Sequence, residues 1–213
     1  MKRGTVIVVA GGGPVGAPAG LPHGTPVVAA DGGVDEALAV GLRPDVVVGD
    51  LDSVSKTGLA AAEREGARVV RFPHEKDATD LELALDEAVA LGAERVVVTG
   101  TPGGRLDHLV AGLLLLGSER YAGVMLDALL GPAAIHVVRG ERELAGRPGE
   151  LVSLVALNGP AEGVTTDGLA YPLRRETLAP GSSRGVSNVF AAPVARVALE
   201  RGVLLAVRPG VPS

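Results

Sequence analysis

The sequence predicts two domains of different class: an α/β domain with a mostly parallel sheet over residues 1–130, then a small all-β sandwich or barrel over residues 131–213. Three observations carry this. Up to about residue 130, short β-branched runs alternate with segments of helical periodicity, the pattern of a parallel sheet with helices on its faces. Runs such as Val46-Val47-Val48 and Val96-Val97-Val98 are apolar throughout, as strands covered on both faces must be. After Gly131 the helical periodicity stops, and Gly and Pro punctuate short strand-like pieces, as in small antiparallel sandwiches.

In chain order, residues 5–10 form a β-branched run ending in Gly11-Gly12-Gly13, and residues 27–30 a short run ending in Asp31-Gly32-Gly33. A helix over 35–40 closes at Gly41. Residues 45–48 make a strand ending in Gly49-Asp50. A helix over 56–65 closes at Gly66, and residues 68–72 form the next strand. The strongest helix spans 77–91, with Leu81, Leu85, Ala88 and Val89 at helical spacing and Gly92 just past its end. Residues 95–99 form a strand, 107–116 an apolar helix and 124–129 the last strand. This alternation is Rossmann-like in pattern. In the second domain, strands are expected over 134–139, 151–157, 164–172, 175–178, 186–190, 196–199 and 203–208.

Composition excludes several functions. The 213 residues are 46% hydrophobic and 21% charged, which is globular. Aromatics make up 2%, so the core is aliphatic. The net charge is −5 with no Lys/Arg run, which argues against wholesale nucleic-acid binding. Without cysteine there are no disulfides, no thiol catalysis and no thiolate metal site. Met1-Lys2-Arg3 leads into a short strand-like run rather than a signal-peptide core, and no segment reaches ~18 unbroken apolar residues. A cytoplasmic protein with no membrane span is expected.

The polar composition of the first domain gathers where strands end. In open α/β sheets ligands bind beyond the carboxyl ends of the strands. Asp31-Gly32-Gly33, Gly49-Asp50-Leu51-Asp52-Ser53 and Gly103-Gly104-Arg105-Leu106-Asp107-His108 all fall there, and Lys76-Asp77-Ala78-Thr79-Asp80 enters on the same edge. Asp50 and Asp52, two apart, point to one side in extended chain. Such carboxylates repel unless a cation sits between them, and hard oxygen ligands suit Mg²⁺. A solvated turn with Asx-type backbone bonds accounts for the same spacing. Asp77 is a good N-cap, and Asp80 three residues later closes a capping box; alternatively Asp80 faces the cleft while Asp77 holds the helix. Lys76 either neutralises phosphate charge or solvates its loop. Gly103 and Gly104 would let backbone N–H groups approach phosphate at a helix N-terminus, and Arg105 would add a bidentate contact; a plain tight turn with Asp107 as cap is the other reading. Gly11-Gly12-Gly13-Pro14 lacks the Gly-Lys-Ser/Thr ending of a P-loop.

Taken together, and in order along nearly the whole chain, these segments resemble the thiamine pyrophosphokinase family. The matching pieces are Asp31-Gly32-Gly33, Gly49-Asp50-Leu51-Asp52-Ser53, Phe72-Pro73 with Glu75-Lys76-Asp77 and Thr79-Asp80-Leu81, Gly103-Gly104-Arg105 with Asp107-His108, Asp167-Gly168-Leu169 with Tyr171-Pro172-Leu173, and Gly185-Val186-Ser187-Asn188. The resemblance implies an N-terminal domain that binds ATP and a C-terminal β domain that helps form a homodimer. Thiamine would sit at the dimer interface, between the acidic cleft of one subunit and residues 185–188 of the other, where Ser187 and Asn188 would contact it. Mg²⁺ ligands would be Asp50, Asp52 and Asp80, with phosphate contacts around Gly103, Gly104, Arg105, Asp107 and His108. The sequence departs from the family in two places. Ala111 and Gly112 stand where the helix after Asp107-His108 often carries Asn, and there is no Trp after the Ser-Asn pair, Phe190 being the nearest aromatic.

The implied reaction is attack of the thiamine hydroxyl on the β-phosphorus of ATP, with AMP leaving. Arg105 and Lys76 would supply fixed positive charge, and Asp77 or Asp31 would orient the hydroxyl. Two rivals use the same acidic edge. A phosphatase with Asp50 as nucleophile and Asp52 as acid would need no ATP and leaves Arg105 and Ser187-Asn188 without a role. A non-catalytic module would bind thiamine or a nucleotide without turnover.

Overall fold

The structure, a computed structural model, describes residues 4–101 and 105–210. The chain divides into two compact units, Met1–Gly112 with Gly123–Gly131, and Leu113–Ala122 with Pro132–Ser213. Among the described residues no helix is long and apolar enough to cross a membrane.

The first unit holds a six-stranded sheet: β1 (Gly4–Val9), β2 (Val27–Ala30), β3 (Val46–Gly49), β4 (Arg68–Arg71), β5 (Ala93–Gly100) and β6 (Met125–Leu130). Every pairing is parallel, and the spatial order is β4-β3-β2-β1-β5-β6. The chain steps outward from β1 to β4, then returns to the far side of β1 as β5. In open α/β sheets such a reversal, here at the carboxyl ends of β1 and β5, is where ligands bind. Because all strands run one way, each strand-to-helix loop emerges on one edge.

Three helices accompany the sheet: α1 (Gly33–Ala39), α2 (Lys56–Arg64) and α3 (Asp80–Ala90); a fourth, α4 (Leu106–Leu116), begins in this unit and has its last residues, from Leu113, in the second. Strand side chains alternate between faces. Ala29 and Val47 cluster with Val34 of α1 and Ala62 of α2, and Ile7, Val9 and Val27 with Ala37. The intervening residues Val6, Val8, Val28 and Val48 are equally buried, and α3 packs on β1, β2, β3 and β5 through Ala84, Leu85 and Ala88. Burying each such Val contributes roughly 1.5–3 kcal/mol relative to exposure, so covering both faces accounts for the unbroken valine runs. Gly33 is required for close approach: a Cβ there would lie 2.2 Å from the Val9 carbonyl oxygen.

One local expectation is corrected. α3 begins at Asp80, and its N-cap is Thr79, whose Oγ1 accepts from Glu82 N at 3.2 Å. Asp77 is therefore not the cap, and Asp80 closes no capping box. Two cap-type residues stood near the helix start, and the hydroxyl nearer the apolar stripe won. Asp80 is left as the first helical residue with its carboxylate free of capping duty.

The second unit pairs its strands entirely antiparallel: β7 (Ala133–Val138), β8 (Glu141–Ala145), β9 (Leu151–Ala156), β10 (Ala161–Asp167), β11 (Glu176–Leu178), β12 (Asn188–Val189), β13 (Val194–Ala198) and β14 (Leu204–Arg208). One set runs β12-β9-β14-β7 and the other β11-β10-β13-β8. Inward residues of both sets, among them Val152, Leu154, Leu204, Val164 and Val197, form one buried cluster, so the two sheets share a core. β8 was not anticipated. It reads Glu-Arg-Glu-Leu-Ala and buries only Leu144, too little apolar signal to mark a strand.

Candidate active site

Two strand ends and one helix start bring the acidic side chains together. Asp31 follows β2, Asp50 and Asp52 follow β3, and Asp80 opens α3. The backbone there takes rarely populated conformations: Asp31 has φ 45° and Leu51 φ 65°, against Gly49 at 143°. Non-glycine residues at positive φ cost free energy and persist where surroundings hold them. Here Asp31 N donates to Val48 O at 2.8 Å, and Phe72 N to Gly49 O at 2.9 Å. A Cβ on Gly49 would come within 3.0 Å of Asp80 Oδ1 and 3.1 Å of Asp31 Cβ. Glycine at that position leaves room for the carboxylates to converge.

One oxygen each of Asp31, Asp50 and Asp80 lie within 4.8 Å of one another, and so do ligand atoms of Asp50, Asp52 and His74. Lys76 enters this cluster, with Nζ 3.0 Å from Asp50 Oδ2 and 3.1 Å from Asp80 Oδ1. The first contact is an aligned hydrogen bond. The second is not, and Asp80 Oδ1 is enclosed without any hydrogen-bond partner. His74 Nδ1 stands 2.9 Å from Asp50 Oδ2 and 3.7 Å from Asp52 Oδ2. Asp31 Oδ1 accepts from Ser53 N at 3.3 Å, and Asp52 Oδ1 from Ser53 Oγ at 2.8 Å.

The two innermost carboxyls are driven in opposite directions. The Lys76 hydrogen bond, helped by His74, holds Asp50 below the usual carboxylate range. Burial pushes Asp31 up, against the hydrogen bonds from Ser53 and with repulsion from Asp80 and Asp52 adding to it. Burial also works against the charge of Lys76, but its contacts with Asp50 and Asp80 outweigh that and leave it raised. Sites that work chemically commonly show such opposed environments.

Gly103 and Gly104 lie outside the described residues. Arg105 and Asp107 are described, and they pair with each other: Nε to Oδ1 at 3.2 Å and Nη2 to Oδ2 at 2.6 Å. The arginine holds the Asp107 carboxyl at about 2. Both side chains are largely exposed, so water screens this pair and the guanidinium can exchange partners cheaply. Asp107 lies within the first turn of α4 rather than before it, as does the exposed His108. Asp77 is exposed in the loop before α3. Gly112 packs close: a Cβ there would meet Leu81 Cδ2 at 3.1 Å.

A second concave region lies wholly within the β unit. A cavity of ≈ 410 Å³ is lined by Tyr171, Leu173, Arg184, Val186, Ser187 and Asn188, among others. Asn188 is 2% exposed, and its amide is spent on backbone: Oδ1 accepts from Tyr171 N at 3.0 Å and Val189 N at 2.9 Å, while Nδ2 donates to Tyr171 O at 2.7 Å. Asn188 thus fixes Tyr171, whose side reaches solvent at 61% exposure. Ser187, at φ 58°, donates its N–H to Ser153 Oγ. Phe190 does not serve as the cavity's aromatic. Its ring is buried, sits in the shared core and occupies the space a side chain on Gly146 would need. Sequence analysis named Tyr171 within the matching Tyr171-Pro172-Leu173 segment but not as a site residue; among the described residues it is the one strongly exposed aromatic.

Comparison with known proteins gives consistent matches. The family described as "Thiamin pyrophosphokinase, catalytic domain" matches residues 21–125, and "Thiamin pyrophosphokinase, vitamin B1 binding domain" matches residues 134–204. The chain is similar to the thiamine pyrophosphokinase of Bacillus subtilis, 25% identical over 193 residues, covering 85% of this chain and 86% of that protein. It is also similar to thiamine pyrophosphokinase 1 of Arabidopsis thaliana, 28% identical over 171 residues, 73% of this chain and 62% of that protein. Among solved structures, the thiamin pyrophosphokinase family protein of Enterococcus faecalis superposes with a TM-score of 0.81 at 26% identity, covering 98% of this chain and 100% of that one. The Bacillus subtilis structure superposes with a TM-score of 0.85 at 23% identity, covering 98% and 100%.

Proposed function

The chain belongs to the thiamine pyrophosphokinase family, and on that premise we propose that it transfers the diphosphate of ATP to the hydroxyl of thiamine, with AMP as the second product. The observation that carries the reading is the convergence of Asp50, Asp80 and Lys76 at the carboxyl edge of a parallel sheet. Residues 1–130 are assigned to ATP in a Rossmann-like arrangement, and residues 131–213 to thiamine and to a homodimer contact in a cytoplasmic enzyme.

The donor set fits Mg²⁺. Its carboxylates fall in two triads that share Asp50, one with Asp31 and Asp80 and one with Asp52 and His74, each with its ligand atoms within 4.8 Å of one another, and hard oxygen donors of this kind suit the ion. A buried oxygen of Asp80 without a hydrogen bond points into this cluster. Asp50, Asp52 and Asp80 would hold the ion, which supplies neutralisation of charge on the triphosphate. The remaining work falls to positioning and fixed charge. As the hydroxyl oxygen bonds to the β-phosphorus, the bond from that phosphorus to the oxygen bridging it to the α-phosphorus breaks, and AMP takes the electron pair. Lys76 and Arg105 offset the growing negative charge, with Gly103, Gly104, Asp107 and His108 assigned around the phosphates. Asp31 is the better placed of the two acids to orient the hydroxyl, since it stands in the cluster whereas Asp77 is exposed. A buried carboxyl with raised affinity for protons is also suited to receive the one released.

For the acceptor, the cavity beside Ser187 and Asn188 is the candidate seat. Tyr171 offers it an aromatic face, and such faces attract cationic rings. Thiamine would be shared between this cavity on one subunit and the acidic edge of its partner. The test is product identity. With thiamine, ATP and Mg²⁺, thiamine diphosphate and equimolar AMP are expected; ADP in place of AMP overturns the reading. Phosphate release from a simple ester without ATP would indicate an aspartyl-nucleophile phosphatase instead.

A further inference from the structure

We propose that Lys76 is the cation site's own competitor: its ammonium holds the position between Asp50 and Asp80 and has to leave it for a divalent cation to bind. This rests on reading those carboxylates as a cation site. The lysine side chain is 12% exposed, as is that of Asp50. Its Nζ lies 3.0 Å from Asp50 Oδ2 and 3.1 Å from Asp80 Oδ1. A divalent ion at about 2.1 Å from the same two oxygens would stand where the ammonium stands, and two cations cannot share that enclosure.

Three features set this apart from a structural salt bridge. The contact with Asp80 Oδ1 is off the direction a hydrogen bond needs, and that oxygen has no other partner. It is charge against charge, without the alignment that fixes a buried pair. Lys76 also sits in the loop before α3 rather than in the helix, so it can swing away without breaking helical hydrogen bonds. Lastly, lysine is a compact point charge on a flexible four-carbon stem, suited to a place that is held and then released. The consequence is a site whose convergent carboxylates are neutralised before metal arrives, and which frees a positive charge at the phosphate edge once it does.

The experiment is a Mn²⁺ titration of the full chain without nucleotide, with free Mn²⁺ read by electron paramagnetic resonance. Lys76→Met keeps the stem and removes the charge. Its Mn²⁺ Kd is expected to fall at least tenfold, the change that about 1.4 kcal/mol produces. Its Tm without metal should fall, and the rise in Tm on adding Mn²⁺ should exceed that of the parent. A merely structural lysine would lower Tm without tightening the metal. Unchanged or weaker Mn²⁺ binding by Lys76→Met, with binding lost in Asp50→Asn, overturns the competitor role and leaves the cation site standing. Binding undiminished in Asp50→Asn overturns the cation-site reading and this inference with it. Should Lys76→Met not fold, Lys76→Gln, which retains a donor for Asp50, is read the same way.

Discussion

The acidic edge of the first unit and the cavity of the second are built in opposite ways. At the edge, charged side chains from β2, β3 and α3 converge, and much of their capacity is held in loose electrostatic contacts. In the cavity, polar side chains have already committed their hydrogen bonds to backbone. Asn188 makes three such bonds, while Asp80 Oδ1 makes none. Residue type therefore indicates function at the edge, where the functional groups are the named side chains. In the cavity, Asn188 holds the wall through its backbone bonds, and its neighbour Tyr171 presents the exposed surface.

The sharpest way to break this contrast is Asp50→Asn. The substitution keeps shape and removes a charge that Lys76 and His74 hold ionised. Turnover is expected to fall by about 10³-fold, the scale of losing one electrostatic element of a transition-state site. The edge is not what holds the core together, so the far-ultraviolet circular dichroism should be unchanged. Steady-state kinetics at saturating Mg²⁺ and a thermal melt make the check. Near-parental turnover would remove Asp50 from the chemistry and reduce the edge to a solvated turn.

A smaller effect tests the other region. Asn188→Ala strands the Tyr171 N–H and carbonyl and the Val189 N–H. Leaving these part-buried backbone groups unpaired costs up to about 1–3 kcal/mol, visible as a lower denaturant midpoint. The expected kinetic signature is split: KM for thiamine rises about tenfold as Tyr171 loses its fixed position, while kcat changes by less than about threefold. A fall in kcat with unchanged KM would mean that Asn188 acts on the reacting groups directly, and the contrast between the regions would fail.

The contrast also explains which parts were legible in the sequence. Parallel strands could be read because burial on two faces leaves uninterrupted valine runs, and the Gly-Asp endings could be read because each lies within a few residues of its strand. The tie between Lys76 and Asp50 spans 26 positions and depends on β3 lying beside β4, which no local pattern encodes. Asp77 was misread as a cap because Asp and Thr both satisfy cap chemistry, and only the position of α3 decides between them. Asn188 was placed at the ligand by the family resemblance; its side chain bonds to the backbone of Tyr171, 17 positions away, a tie that no local pattern encodes. The β8 strand carries one buried Leu among charges, and its place comes from pairing with β13.

The smallest expected effect concerns Asp31, where the edge bears a cost that the cavity does not. Burial raises the proton affinity of this carboxyl, and nearby Asp80 and Asp52 add repulsion. A carboxyl whose folded pKa lies above its unfolded one binds protons more tightly in the native state. Stability then falls as pH rises from the unfolded value through the folded one. Asp31→Asn removes the charge while its side-chain oxygen can still accept from Ser53 N. In metal-free protein at pH 7, Tm should rise by about 2–4 °C, the shift that about 1 kcal/mol gives a chain of this size. The gain should vanish near pH 3, where Asp31 is protonated in both states. Turnover should fall at the same time, as expected where a site keeps a destabilising group for its chemistry. A Tm that instead drops at pH 7 would assign Asp31 to holding the β2–β3 edge together, and the free-charge description would then apply to Asp50 and Asp80 alone.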